Sequence, residues 1–150
     1  MDERKKADKR AQDVEGELAT LLAEELVGEL SASTQAVFKK HVHRIDDSNN
    51  VLGFLSSVCL LFSGKVKDRA DSQKSYLLVL SSSPFAPSQA ATNVIVVFGS
   101  EDELVKQTGE SLKSKLGAKG GGKAPRWSGK TIGVWKESTN AIIDHFLADT

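Results

Sequence analysis

A single cysteine, Cys59, stands in the 150 residues, so no disulfide closes within this chain. It lies in an apolar helical run, where a free thiol behaves as a small buried hydrophobe. Prolines number three and aromatic residues make up 6% of the chain, which leaves long stretches free to form unbroken helices. No apolar run reaches membrane-spanning length: the most apolar stretch, Val51 to Phe62, is too short and holds polar residues. The first turns are charged throughout, unlike a secretory leader. These absences set the expectation of a cytoplasmic protein that makes no membrane contact. There is also no net charge, yet the balance is local. Asp13 to Glu29 holds six acids and no base, whereas Lys106 to Lys136 holds eight bases and the single acid Glu110. A basic segment on a neutral chain is a local electrostatic footprint.

Chemical motifs are also scarce. No HxxxH, CxxC or GxSxG pattern occurs. His41 and His43 share one face of any strand, but no third histidine or cysteine stands near them, so they read as surface strand histidines. Asp46 and Asp47 read as a turn and a cap. Residues 117–123 match seven positions of a nucleotide-binding P-loop, but the eighth, where magnesium needs Ser or Thr, is Ala124. The segment also follows a helical pattern instead of a strand. An NTPase is thereby disfavoured.

What is present is a glycine-rich basic stretch from Leu116 to Lys130. The amides of Gly120, Gly121, Gly122 and Lys123 suit an anion-binding concavity. Lys119, Lys123, Arg126 and Lys130 supply charge for phosphates. Trp127 fits two roles: folding back onto the domain, or stacking on a base.

The flanking pattern predicts α-β-α-β-β-α-loop-α, an α/β fold with a small mixed sheet of about three strands. One long helix is expected over residues 3–30, with Ala7, Ala11, Val14, Leu18, Leu21, Leu22, Leu26 and Leu30 at helical spacing. It serves as a linker or as a homodimer seam, and residues 31–150 form the second part. Strands are expected at 36–45, 75–82 and 93–98, the last two antiparallel. Between the first two lies a helix capped by Asp47 or Ser48. Ser100-Glu101-Asp102-Glu103 has the form of a capping box opening a helix that Gly117 ends. A short extended piece spans 131–134, and Trp135 reads as core. A last helix over 138–147 is expected to bury Ala141, Ile142, Phe146 and Leu147.

With this order, Leu116 to Lys123 (Leu-Gly-Ala-Lys-Gly-Gly-Gly-Lys) resembles the glycine loop of the DHH-associated domain. That domain is the C-terminal part of alanyl-tRNA synthetases and alanyl-tRNA editing proteins. Residues 75–82 and 93–100 resemble the two strands before that loop, and residues 3–30 resemble the linker helix. Ala118 replaces a family glycine, and the family's Ala-Gln-Ala-Gly after the loop is here Pro125-Arg126-Trp127-Ser128-Gly129. The family's editing zinc ligands, its aminoacylation motifs and the metal ligands of related phosphoesterases are absent from the sequence. The resemblance implies a non-catalytic module that binds tRNA or another structured RNA without a cofactor. The rivals are a dimerisation or docking module, and part of a trans-editing hydrolase whose zinc domain lies elsewhere.

Overall fold

The structure, a computed structural model, describes residues 2–34, 37–45, 51–67, 75–84, 89, 91–121 and 126–149, with residues 2–15, 146, 148 and 149 by backbone alone. Asp46, Asp47 and Ser48, with the cap expected there, and Gly122, Lys123, Ala124 and Pro125 lie outside the described residues. Four helices and five strands are described: α1 (Asp2–Ala32), β1 (Val37–Ile45), α2 (Val51–Lys67), β2 (Ser75–Ser83), β3 (Thr92–Gly99), α3 (Asp102–Leu116), β4 (Lys119–Gly121), β5 (Arg126–Ile132) and α4 (Glu137–Asp149). The mixed α/β fold stands, but the sheet has five strands, not about three. The two further strands come from the glycine-rich stretch itself.

The chain forms two compact units, residues 1–34 with 53–73, and residues 35–52 with 74–150. The sequence places α2 with the second part; its contacts place it with α1. In the first unit α1 buries Ala19, Ala23, Leu26, Val27 and Leu30, and leaves Leu18 and Leu21 exposed. Of the expected stripe, Leu26 and Leu30 are buried, whereas Leu18 and Leu21 are not, and Ala19, Ala23 and Val27 are buried beside them. Helix α2 buries Phe54, Leu55, Val58, Cys59, Phe62 and Val66. Lys65 Nζ donates to Glu24 Oε1 at 3.4 Å, a contact between the two helices.

In the second unit the strand order is β1-β2-β3-β5-β4. β1 and β2 run parallel, as a connection through a helix requires, and every other neighbouring pair is antiparallel. β2 is buried along nearly its whole length, which explains its continuous apolar run. Leu77, Val79, Ile95, Val97 and Trp127 share one face and pack with Val105 and Leu112 of α3 and Ile143 and Leu147 of α4. Each large side chain so buried is worth about 1.5–3 kcal/mol.

The expected capping box does not form. Glu101 is the N-cap and makes no side-chain cap bond. The Ser100 hydroxyl instead accepts the Tyr76 N–H at 2.9 Å, tying α3's start to β2. Gly117 ends α3 as expected, at φ 67°, its N–H donating to the Lys113 carbonyl. On α4 the buried apolar residues among those described are Ile143 and Leu147, while Ala141 faces solvent and Ile142 is half-buried.

Candidate functional site

The glycine-rich stretch is a β-hairpin at the sheet edge. In its register Lys119 opposes Lys130, Gly120 opposes Gly129 and Gly121 opposes Ser128. Opposed residues share a face, and alternation along β5 adds Arg126 to the face of Lys130. Lys119, Arg126 and Lys130 therefore project from one side of the hairpin, all exposed. None has an ion-pair partner among the described residues. β4 is the last strand, so the backbone of Gly120 and Gly121 lies at an open edge.

Trp127 points the other way. It is 6% exposed and belongs to the core. Of its two sequence roles it takes packing, and as a stacking residue of the site it is corrected. Its ring fills the space that side chains at Gly109 and Gly129 would need; a Cβ on Gly109 would lie 2.7 Å from the indole. A Cβ on Gly120 would collide with the Ser128 carbonyl, whereas Gly121 has nothing within 4 Å of that position. Part of the glycine run is thus a packing requirement of the hairpin. A cavity of about 310 Å³ between α3 and the hairpin is lined by Asp102, Glu103, Glu110, Lys106, Lys113 and Arg126. Its mixed charges offer no single-sign field.

A second cluster lies elsewhere on the sheet, and sequence reading missed it. Parallel pairing sets His43 of β1 beside Ser81 of β2, with His41 two residues earlier on the same face. Ser81 Oγ lies 2.9 Å from His41 Nε2 and 2.8 Å from His43 Nδ1. Asp144 of α4 brings Oδ1 to 3.4 Å from His41 Nδ1. The His41 side chain is 4% exposed, so these are not surface strand histidines. The ring of His43 stacks on Trp135, centroids 4.3 Å apart at 10°. Trp135 is half-buried, and its indole N–H donates to Asn140 Oδ1 at 2.8 Å.

The proton order follows from the partners. Asp144 favours a proton on His41 Nδ1, which leaves Nε2 to accept from the Ser81 hydroxyl. The Ser81 oxygen then accepts from His43 Nδ1, and His43 Nε2 keeps its lone pair. Burial pushes His43 down to about 4, and the neighbouring His41 adds to this. Burial also lowers His41, against the opposing pull of Asp144. Ser81, His41 and Asp144 have the composition of a nucleophilic triad. Yet Ser81 is fully buried and its hydroxyl is shared between two rings, which makes it a relay in this conformation, not an exposed nucleophile.

The cluster adjoins a cavity of about 330 Å³ walled by His43, Ile45, Ser83, Asn93, Val134 and Trp135, among others. Asn93 Nδ2 donates to the Gly133 carbonyl at 2.9 Å and to Thr131 Oγ1 at 3.2 Å. Its Oδ1 and the Ser83 hydroxyl are buried without a partner among the described residues. The signal in the sequence was slight: the apolar run of β2 turns to three serines while the strand is still central.

Among the described residues no group of three or more His, Cys, Asp or Glu side chains is placed to hold a metal, and no helix is long and apolar enough to cross a membrane. No protein-family model matches the chain, and no curated protein matches it.

Proposed function

We propose that this chain is a non-catalytic nucleic-acid-binding module whose β4–β5 hairpin contacts phosphates, with tRNA or a similarly structured RNA as its ligand. The observation that carries this reading is the hairpin register, which gathers Lys119, Arg126 and Lys130 on one face with no ion pair to any of them among the described residues, although Arg126 also borders the cavity that Asp102, Glu103 and Glu110 line. Like charges directly opposed across strands cost stability, and an anion bound there relieves that cost. The open edge of β4 adds amide donors, and Lys123 lies between β4 and β5 in the sequence. Such contacts position a backbone and read little sequence. Trp127 has no part in this; its work is to hold the hairpin to α3. The likeness of residues 116–123 to the glycine loop of the DHH-associated domain points to RNA over DNA.

Titration of bulk tRNA at two salt concentrations tests the reading. With about four cations engaged, the logarithmic salt slope is expected near −3. Lys119→Glu/Lys130→Glu is expected to abolish the binding. Salt-independent affinity, or full binding by the folded double variant, refutes it.

A second reading, assembly through α1, draws on the exposure of Leu18 and Leu21. Sedimentation of the chain against Leu18→Lys/Leu21→Lys decides it: a dimer that the variant dissociates supports the seam, and a monomer in both removes it.

A further inference from the structure

We propose that His41, His43 and Ser81 form an acid-sensitive latch that holds Trp135 and α4 on the sheet, and that acidification lifts this segment while α3 stays in place. The latch is a conformational device separate from the hairpin.

Two ionisable rings lie between one hydroxyl and one stretch of chain. On the sheet side, Ser81 Oγ serves both, at 2.9 Å from His41 Nε2 and 2.8 Å from His43 Nδ1. On the other side the contacts all come from residues 135–144. Trp135 lies against both rings, its centroid 4.3 Å from that of His43 and 6.4 Å from that of His41. Asp144 Oδ1 is 3.4 Å from His41 Nδ1. The indole N–H of Trp135 donates to Asn140 Oδ1, so the ring is tied to α4 and leaves with it.

The proton count at Ser81 holds whichever tautomers the rings adopt. Two neutral rings and one hydroxyl satisfy both contacts when one ring nitrogen donates to the oxygen and the other accepts its proton. With both rings charged, every ring nitrogen is a donor. The Ser81 proton has then lost its acceptor at a fully buried position. The same step sets two cations out of water with ring centroids 6.5 Å apart.

Little in the surroundings offsets those charges. The β2 residues beside the pair are Val79, Ser81 and Ser83, none of them charged. β1 itself adds Lys39, on the face of His41 and of the same sign. From α4 comes one carboxylate in contact, Asp144, whose side chain is 65% exposed and well screened; His145 next to it is exposed. Lys136 and Glu137 border the cavity beside His43 with opposite signs. Burial accordingly holds both rings below the usual histidine value, His43 at about 4. Lifting α4 admits water, and each ring then takes its proton near pH 6.5, so acid favours the open form. Between about pH 7.5 and about pH 5, His43 alone shifts the opening equilibrium about thirtyfold.

Hydrogen exchange of the full chain at those two pH values, corrected for the intrinsic pH dependence of amide exchange, is the test. Amides of α4 are expected to open at least about tenfold more often at the lower pH. Those of α3, which packs on the sheet through Val105 and Leu112 and supplies no residue to the cluster, are expected to change less than about twofold. His43→Phe keeps a ring on Trp135 but takes no proton, and is expected to cut the α4 ratio to about threefold or less. Equal acceleration of α3 and α4 means unfolding of the whole chain and overturns the latch. So does α4 protection that ignores pH, or a His43→Phe ratio as large as that of the wild type. The comparison of α3 with α4 is made within the wild-type chain, so it decides the matter even if the variant fails to fold. No RNA is present in the measurement, so the latch and the hairpin reading fail separately.

Discussion

The sheet carries two polar regions that differ in how they are made. The hairpin face is built from two neighbouring segments of the chain, residues 119–121 and 126–130, and its Lys119, Arg126 and Lys130 charges lie in solvent. The His43 cluster draws on β1, β2, β3, the end of β5 and α4, and its His41, Ser81, Ser83 and Asn93 side chains are buried while Asp144 is exposed. Exposure makes each hairpin cation cheap to hold and weak alone, so function there needs several charges together. Burial makes each polar atom of the cluster costly unless satisfied, so a single orphan such as Asn93 Oδ1 is informative.

The largest effect that tests this contrast is at Trp127. Trp127→Ala is expected to cost about 3–5 kcal/mol in urea unfolding, as for other buried tryptophans. Trp135→Ala is expected to cost clearly less, because that ring is half-buried. A Trp127→Ala chain as stable as wild type but deficient in RNA binding would return Trp127 to the surface role and break the contrast.

A smaller effect separates two adjacent glycines. Gly120→Ala drives a Cβ into the backbone of β5 and is expected to cost about 1–3 kcal/mol, while Gly121→Ala stays within about 0.5 kcal/mol. Equal costs in denaturant melts would mean that β4 does not pair with β5 as described.

The buried cluster is sharpened by pH. His43 has a folded-state pKa near 4 against an ordinary 6.5, so on acidification the unfolded chain takes up its proton first. Its contribution is fully present above pH 6.5 and is lost as pH falls towards 4. His41, lowered in the same direction, acts with it. The urea midpoint is expected to fall across that window, and the fall is expected to be shallower in His43→Phe. An identical profile in the variant would remove His43 from the cluster's energetics.

The smallest effect is at the hairpin itself. Lys130→Glu turns the like pair with Lys119 into an opposite pair, expected to gain about 0.2–1 kcal/mol while weakening tRNA binding. Loss of both stability and binding would contradict the register.

How far the sequence could be read depended on how local each feature is. Helix α3 was legible at both ends of its span because its stripe and its terminal Gly117 are local signals. Its capping box was not, since Ser100 found a better partner in the backbone of β2, far away in sequence. β2 and β3 were legible as apolar runs, and their antiparallel pairing holds. β4 and β5 were hidden by glycines, which carry no strand propensity and are chosen here for close approach to Trp127 and Ser128. The cations of the hairpin were visible, but their common face required the register.

By itself, then, the sequence determined the α/β order, the long first helix, the basic segment and the burial of the single cysteine. Each follows from spacing and composition within one segment. Only the tertiary structure decided that Trp127 is core, that the glycine stretch is a hairpin, and that His41, His43, Ser81 and Asp144 meet. Those outcomes depend on pairing across the sheet and on a helix laid over it, and local propensity has no term for contacts between residues that are forty or a hundred positions apart.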